Sequence, residues 1–294
     1  MIKTVLTSVM CVAGLMGASV QAQSDAHPAL WSISDEDSTV YFFGSFHLLP
    51  EGVEWKSAAY EAAFADAETI IFETDGNSPE GQQAVAALIP QMGLNAPGVT
   101  LSSQLDEETL AKLSEVAPSL GLPVAALEPL KPWLASVMLG VTHMQALGFD
   151  PEKGVEHTVY GDGVAAGKAF AYLETPQQQI GYFANLPQDV QVEMVGESLD
   201  GIERLSSILE EMVSAWEAGD VDTIHRLIAE EMEEDSPEVY DALIVQRNHM
   251  WVEPLKAALA GSEDVLVVVG AGHMTGADGI LPLLEAQGLH VTRH

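Results

Sequence analysis

The stretch VLVVVGAGHMTG, Val265–Gly276, is a run of five apolar, mostly β-branched residues that stops at Gly270 and presents His273 three positions later. Such a run reads as a buried strand, and the glycine lets the backbone turn sharply at its end. A second stretch, VYFFGSFHLLP at residues 40–50, has the same layout, with Gly44 followed by His47 at the same G-x-x-H spacing. Two strands of one chain thus end in a glycine and deliver a histidine.

Working outward, ALWSIS, the turn-like DEDS and TVYFFGS read as a hairpin. EWKSAAYEAAFADA is a helix leading into the short strand TIIFE. DEETLAKLSEVAPSLG is a helix with acids in its first turn and a glycine near its end. VAALE, AFAYLE and the closing LHVTR read as further strands, and WLASVMLGVTHMQALG and LPLLEAQG as helices. Residues 175–260 carry an almost wholly helical pattern, broken near Pro187, Gly219 and Pro237. These alternations predict a mixed α/β domain: a central sheet with flanking helices, and a largely helical insertion before the C-terminal strands.

The first 22 residues follow another logic. Lys3, an uncharged apolar run from Val5 to Val20 and the small-residue ending Val20-Gln21-Ala22 have the layout of a secretory signal peptide cleaved after Ala22. That predicts a periplasmic or secreted protein whose domain spans 23–294. Elsewhere no apolar stretch approaches the roughly 20 residues that cross a bilayer, so no transmembrane anchor is expected in the mature chain. The only cysteine, Cys11, lies in the signal, which excludes disulfides and thiolate zinc sites from the rest. With 44 acidic against 11 basic residues and a formal charge of −33, the chain lacks the clustered cations that nucleic acid requires. The acidity itself reads as a solvated, soluble surface.

Open α/β sheets bind ligands outside the carboxyl ends of their strands. Five ionisable residues stand at such ends: His47, Glu73, Glu128, Glu174 and His273. Two imidazoles with one or two carboxylates suit a divalent transition metal such as zinc, manganese or cobalt, which would lower the pKa of a bound water. Glu73, after the apolar TII, is the candidate ligand or general base, and Glu174 has a similar setting. Glu128, followed by Pro129, reads better as a turn or cap residue. In VQRNHMW, Arg247 and Asn248 are candidates to hold an anion or an oxyanion. Helix geometry turns neighbours by about 100°, so Arg247, Asn248 and His249 cannot all face one site. There is no H-E-x-x-H helix. The loop GAGHMTGADG has neither the G-x-G-x-x-G pattern with its ribose-binding acid nor a Walker lysine, which argues against a nucleotide.

The order of LWSIS, TVYFFGSFHLLP, IIFETD, LKPWLAS, GFDPEKGVE, YLETPQQQ, VQRNHMW and VVVGAGHMTGADGILPLLEAQG resembles that of the TraB/GumN family, which is related to the Tiki metalloproteases and more distantly to erythromycin-esterase-like and ChaN-like proteins. The resemblance implies a metal-dependent, hydrolase-like site built on the paired G-x-x-H motifs. His47 and His273 would be its paired metal ligands, Glu73 its acid, Arg247 and Asn248 its helix pair, and Glu174 a recurrent acid. Tiki-like members cleave peptide bonds with manganese or cobalt, TraB-like members are associated with shutting down peptide pheromone, and GumN takes its name from a polysaccharide cluster. Ser45 stands where many relatives have threonine, and Glu156 where aspartate is frequent. The expectation is a secreted or periplasmic metal-dependent hydrolase acting on a peptide or small-molecule substrate. The alternative is a protein that sequesters a peptide or haem-like ligand without turnover.

Overall fold

The structure, a computed structural model, describes residues 27–294; the expected signal peptide lies outside these residues. Its framework is a mixed α/β arrangement around a six-stranded sheet in the order β6-β4-β7-β2-β1-β8. The strands are β1 (Leu30–Ser34), β2 (Thr39–Ser45), β4 (Thr69–Phe72), β6 (Ala169–Tyr172), β7 (Val265–Gly270) and β8 (Thr292–Arg293). Two short strands, β3 (Leu49–Pro50) and β5 (Phe149–Asp150), pair apart from it. β6, β4, β7 and β2 run parallel, while β1 forms the expected antiparallel hairpin with β2.

The run at Val265–Val269 is apolar throughout because β7 lies inside the sheet and both of its faces are covered. Leu266 and Val268 face a core with Phe43, Trp55, Tyr60 and Trp216. Val265, Val267 and Val269 face the opposite core, built with Phe42, Trp251, Leu255 and Leu284. Each buried side chain of this size stabilises the fold by roughly 1.5–3 kcal/mol relative to exposure. A third core, with Leu113, Leu127, Trp133 and Leu139, joins the helices at 107–119 and 132–146 to the one at 188–200.

Between β6 and β7 the chain is helical from Pro176 to Leu259, with single π-helical turns at Arg226–Glu230 and Asp241–Val245. The helix Gln246–Leu259 packs Trp251 and Leu255 on the sheet, which brings its first turn over the carboxyl ends of the strands. One expected strand is corrected here: Val124–Leu127 forms a four-residue helix. Pro123 starts it, two alanines favour it, and among the described residues no strand is placed to pair with it.

Candidate functional site

At the carboxyl end of the sheet, parallel pairing sets the positions of the site residues. The β4–β6 ladder continues one step beyond the strands, where Glu174 N–H donates to the Glu73 carbonyl at 2.8 Å, so the two glutamates leave side by side. β2 and β7 pair with Ser45 opposite Gly270, so His47 and His273 leave adjacent strands on the same edge. Glu128 is not among them. It caps the short helix at 124–127 and accepts from Ser102 Oγ at 2.5 Å and Ser102 N at 3.1 Å.

The glycine of the second motif works through space rather than turning. Gly270 has φ −49° and ψ 136°, which any residue can adopt. Its N–H donates to Glu73 Oε1 at 2.7 Å, and a Cβ there would sit 3.2 Å from the same oxygen and 3.5 Å from His273 Cδ2. Gly44 is similar: a Cβ would meet Ala271 Cα at 3.0 Å. Both glycines let the two strand ends and the carboxylate close on one another.

Arg247 is the buried cation at the centre. Its Nη2 lies 2.5 Å from Glu73 Oε2 and 2.7 Å from Glu174 Oε1, and its Nε donates to Glu174 Oε2 at 3.2 Å. Nη1 donates to the Leu243 carbonyl at 3.2 Å and meets His273 Nε2 at 3.1 Å. All five N–H donors of the guanidinium are therefore engaged. The ring of Trp251 lies 4.7 Å from the guanidinium carbon and that of Tyr182 5.6 Å. Arg247 thus holds two carboxylates and one imidazole in place.

Asn248 is equally committed. Its Nδ2 donates to the carbonyls of Asp278 at 2.7 Å and His273 at 3.3 Å, which turns Oδ1 toward His273 Nδ1 at 2.7 Å. His273 therefore carries its proton on Nδ1 and presents the Nε2 lone pair to Arg247. Neighbours on a helix, Arg247 and Asn248 grip opposite nitrogens of one ring, while His249 is exposed and takes no part. Burial holds the His273 pKa down to about 3, so the ring is neutral.

His47 is the counterpart on the open side. Its side chain is 65% exposed, and its Nδ1 lies 2.8 Å from Glu156 Oε1. Glu156 Oε1 also accepts from Ser45 Oγ at 2.5 Å. Glu156 is the site residue to which the sequence assigned no role. It arrives because Gly154 packs against the His47 carbonyl, which a Cβ would approach to 2.0 Å, while Val155 N–H donates to the Phe46 carbonyl at 2.9 Å. The one local signal was glycine just before a helix start, in GVEH. Glu156 raises the His47 pKa to about 9, and Glu73 adds to the rise. Burial also opposes ionisation of Glu73, but Arg247, the two imidazoles and the Gly270 N–H outweigh it and hold the carboxyl far below its ordinary range. Glu174 goes the other way: burial lifts its pKa despite the bidentate arginine.

These groups form one end of a cleft of about 750 Å³. His47, Glu73, Glu156, Gln179 and Arg247 make its polar end, and Ile89, Trp133, Leu134, Val137, Ile180 and Phe183 its apolar wall. Gln179 Nε2 donates to Glu73 Oε2 at 3.2 Å.

In its chemistry the donor set suits a divalent metal. Both histidines have Nδ1 held by an acceptor, which leaves the Nε2 lone pair for a metal on His273 and, once its ring is neutral, on His47, and Glu73 is ionised. In its geometry the set is not gathered: among the described residues no three His, Cys, Asp or Glu side chains form a metal-holding group. Arg247 contacts both Glu73 and His273, so guanidinium and metal compete for the same lone pairs.

The model of the TraB/PrgY/gumN family matches residues 29–293, which spans every element described above. No curated protein and no solved structure matches the chain. Among the described residues no helix is long and apolar enough to cross a membrane.

Proposed function

The chain belongs to the TraB/PrgY/gumN family, and on that footing we propose that it is a hydrolase of peptide bonds whose reacting group is the imidazole of His47. The observation that carries this reading is a contrast within the site. The Arg247, Asn248 and His273 side chains are committed to protein partners, whereas His47 has one nitrogen on Glu156 and the other free in an open cleft.

An imidazole placed in this way moves protons. Glu156 fixes the Nδ1–H tautomer, so Nε2 faces the substrate. Near neutral pH the ring is charged and gives its Nε2 proton to the departing amine; in its neutral form the same nitrogen takes a proton from the attacking water. Glu73 is too strongly held by Arg247 to serve as a base, so its part is to keep negative charge beside the reaction. Arg247 and Asn248 are positioning residues that set His273 and the glutamates.

In the metal-dependent form, which takes the His47 Nε2 out of proton transfer, His47, His273 and Glu73 would hold a divalent metal, manganese, cobalt or zinc, and the metal would supply a water of lowered pKa. The proposed setting is the periplasm or the exterior of the cell, supported by the charge and apolar layout of residues 1–22.

The test is digestion of a peptide library by the purified mature chain with each metal and with EDTA. Cleavage that requires metal supports the metal-dependent form, and cleavage that survives EDTA but is lost in His47→Ala assigns the chemistry to His47. Tight peptide binding with no cleavage in any metal would identify a sequestering protein instead.

A further inference from the structure

Two residues of the cleft wall each bury a side-chain oxygen that no contact of the proposed site uses. Glu156 Oε1 takes both Ser45 and His47, while Glu156 Oε2 is buried and has no partner among the described residues. Thr74 Oγ1, on the loop after β4, is likewise buried and unpartnered. Both residues line the same cleft as His47. Buried oxygens of this kind are costly unless a partner arrives, and these two differ in what they accept. A carboxylate oxygen needs a donor, whereas a hydroxyl can donate to a carbonyl.

Charge and surface point to the rest of the ligand. The wall carries Glu73, Glu152 and Glu156 against the guanidinium of Arg247 and the imidazole of His47, so carboxylates outnumber cations in either state of the ring. The balance is negative, which favours a cation and disfavours a carboxylate. Beside these groups Ile89, Trp133, Ile180 and Phe183 form a continuous apolar wall from three helices, at 79–92, 132–146 and 176–184.

Building on the peptidase reading, we propose that the cleft selects peptides that begin with a free amino group and a bulky apolar side chain. A turn of each side chain brings Glu156 Oε2 to the terminal ammonium and Thr74 Oγ1 to the first carbonyl, and the first side chain lies against Ile89, Trp133, Ile180 and Phe183. An ammonium brings three donors to an anionic acceptor, a charge-assisted contact about twice as strong as a neutral one.

The experiment is calorimetric binding of three tripeptides to the wild-type mature chain at pH 7 in EDTA. Each is N-methylated at its first peptide bond to prevent turnover: Leu-Phe-Ala, its N-acetylated form, and Asp-Phe-Ala. The free leucyl peptide is expected to bind about tenfold or more tightly than either of the others. Ile180→Asp, checked for native circular dichroism, is expected to remove that preference for leucine over aspartate. A difference smaller than tenfold between the free and acetylated leucyl peptides, or between leucine and aspartate in the wild type, overturns the proposal. Because binding is read without cleavage, these outcomes are separate from the fate of the hydrolase reading. A chain that cleaves peptides without regard to their amino end sinks this proposal alone, and one that binds as described but never cleaves sinks the hydrolase reading alone.

Discussion

Arg247 Nη1 lies 3.1 Å from His273 Nε2, and this contact is attractive only because Asn248 keeps the imidazole proton on the other nitrogen. A protonated Nε2 would set two donors against each other in a buried site. Asn248 in turn is oriented by two backbone carbonyls, so the tautomer of His273 is written into the loop at 273–278.

Asn248→Leu should therefore destabilise the chain by about 1–3 kcal/mol, the cost of stranding the buried Nδ1–H and two carbonyls. Urea unfolding with unchanged slope would show this; a variant as stable as wild type would mean that the amide network carries little.

Arg247→Met leaves Glu73 and Glu174 buried against each other, and removing one partner of a buried ion pair typically costs about 3–5 kcal/mol. Adding Glu174→Gln should recover part of that loss, because one stranded charge is neutralised. A double-mutant cycle on unfolding free energies measures the coupling, and additive effects would contradict a shared network.

His47 and His273 should respond to pH in opposite senses. His47 rises from about 6.5 to about 9 on folding, so the stability it contributes is full below pH 6.5 and is lost as pH climbs through 9. His273 falls from about 6.5 to about 3, so the folded state loses stability as pH drops from 6.5 toward 3. Glu73, held below its ordinary range, adds to that acid loss. NMR titration of the two rings checks both. In Glu156→Gln the His47 titration should move down toward 6.5, while His273 should stay neutral until strongly acid pH.

If a metal binds, it must take His47 in its neutral form. Its affinity should then rise with pH up to about 9, and His47→Ala should weaken it about tenfold or more. Cobalt titration followed by absorption reads this without any turnover; binding unaffected by His47→Ala would remove the residue from the ligand set.

Much of this site was legible from strand ends. His47, Glu73, Glu174 and His273 each follow an apolar run, and parallel pairing carries all four to one edge. VAAL was misread as a strand because it is too short for its period to separate strand from helix, whereas Glu128 is the cap residue its setting before Pro129 suggested. The committed state of Arg247 was hidden for a different reason. A residue type shows which bonds it can make, but only the fold shows that two carboxylates, a carbonyl and an imidazole already take them. Glu156 went unassigned because its reach to His47 depends on Gly154 packing against a carbonyl more than a hundred residues earlier, which leaves no periodic trace.

The most direct test compares initial rates of peptide cleavage by the wild type and His47→Ala at matched thermal stability. Loss of an acid–base group typically lowers the rate by about 10²–10⁴-fold, and a fall of that size in kcat is the predicted result. Wild-type kcat in His47→Ala would place the chemistry elsewhere in the molecule.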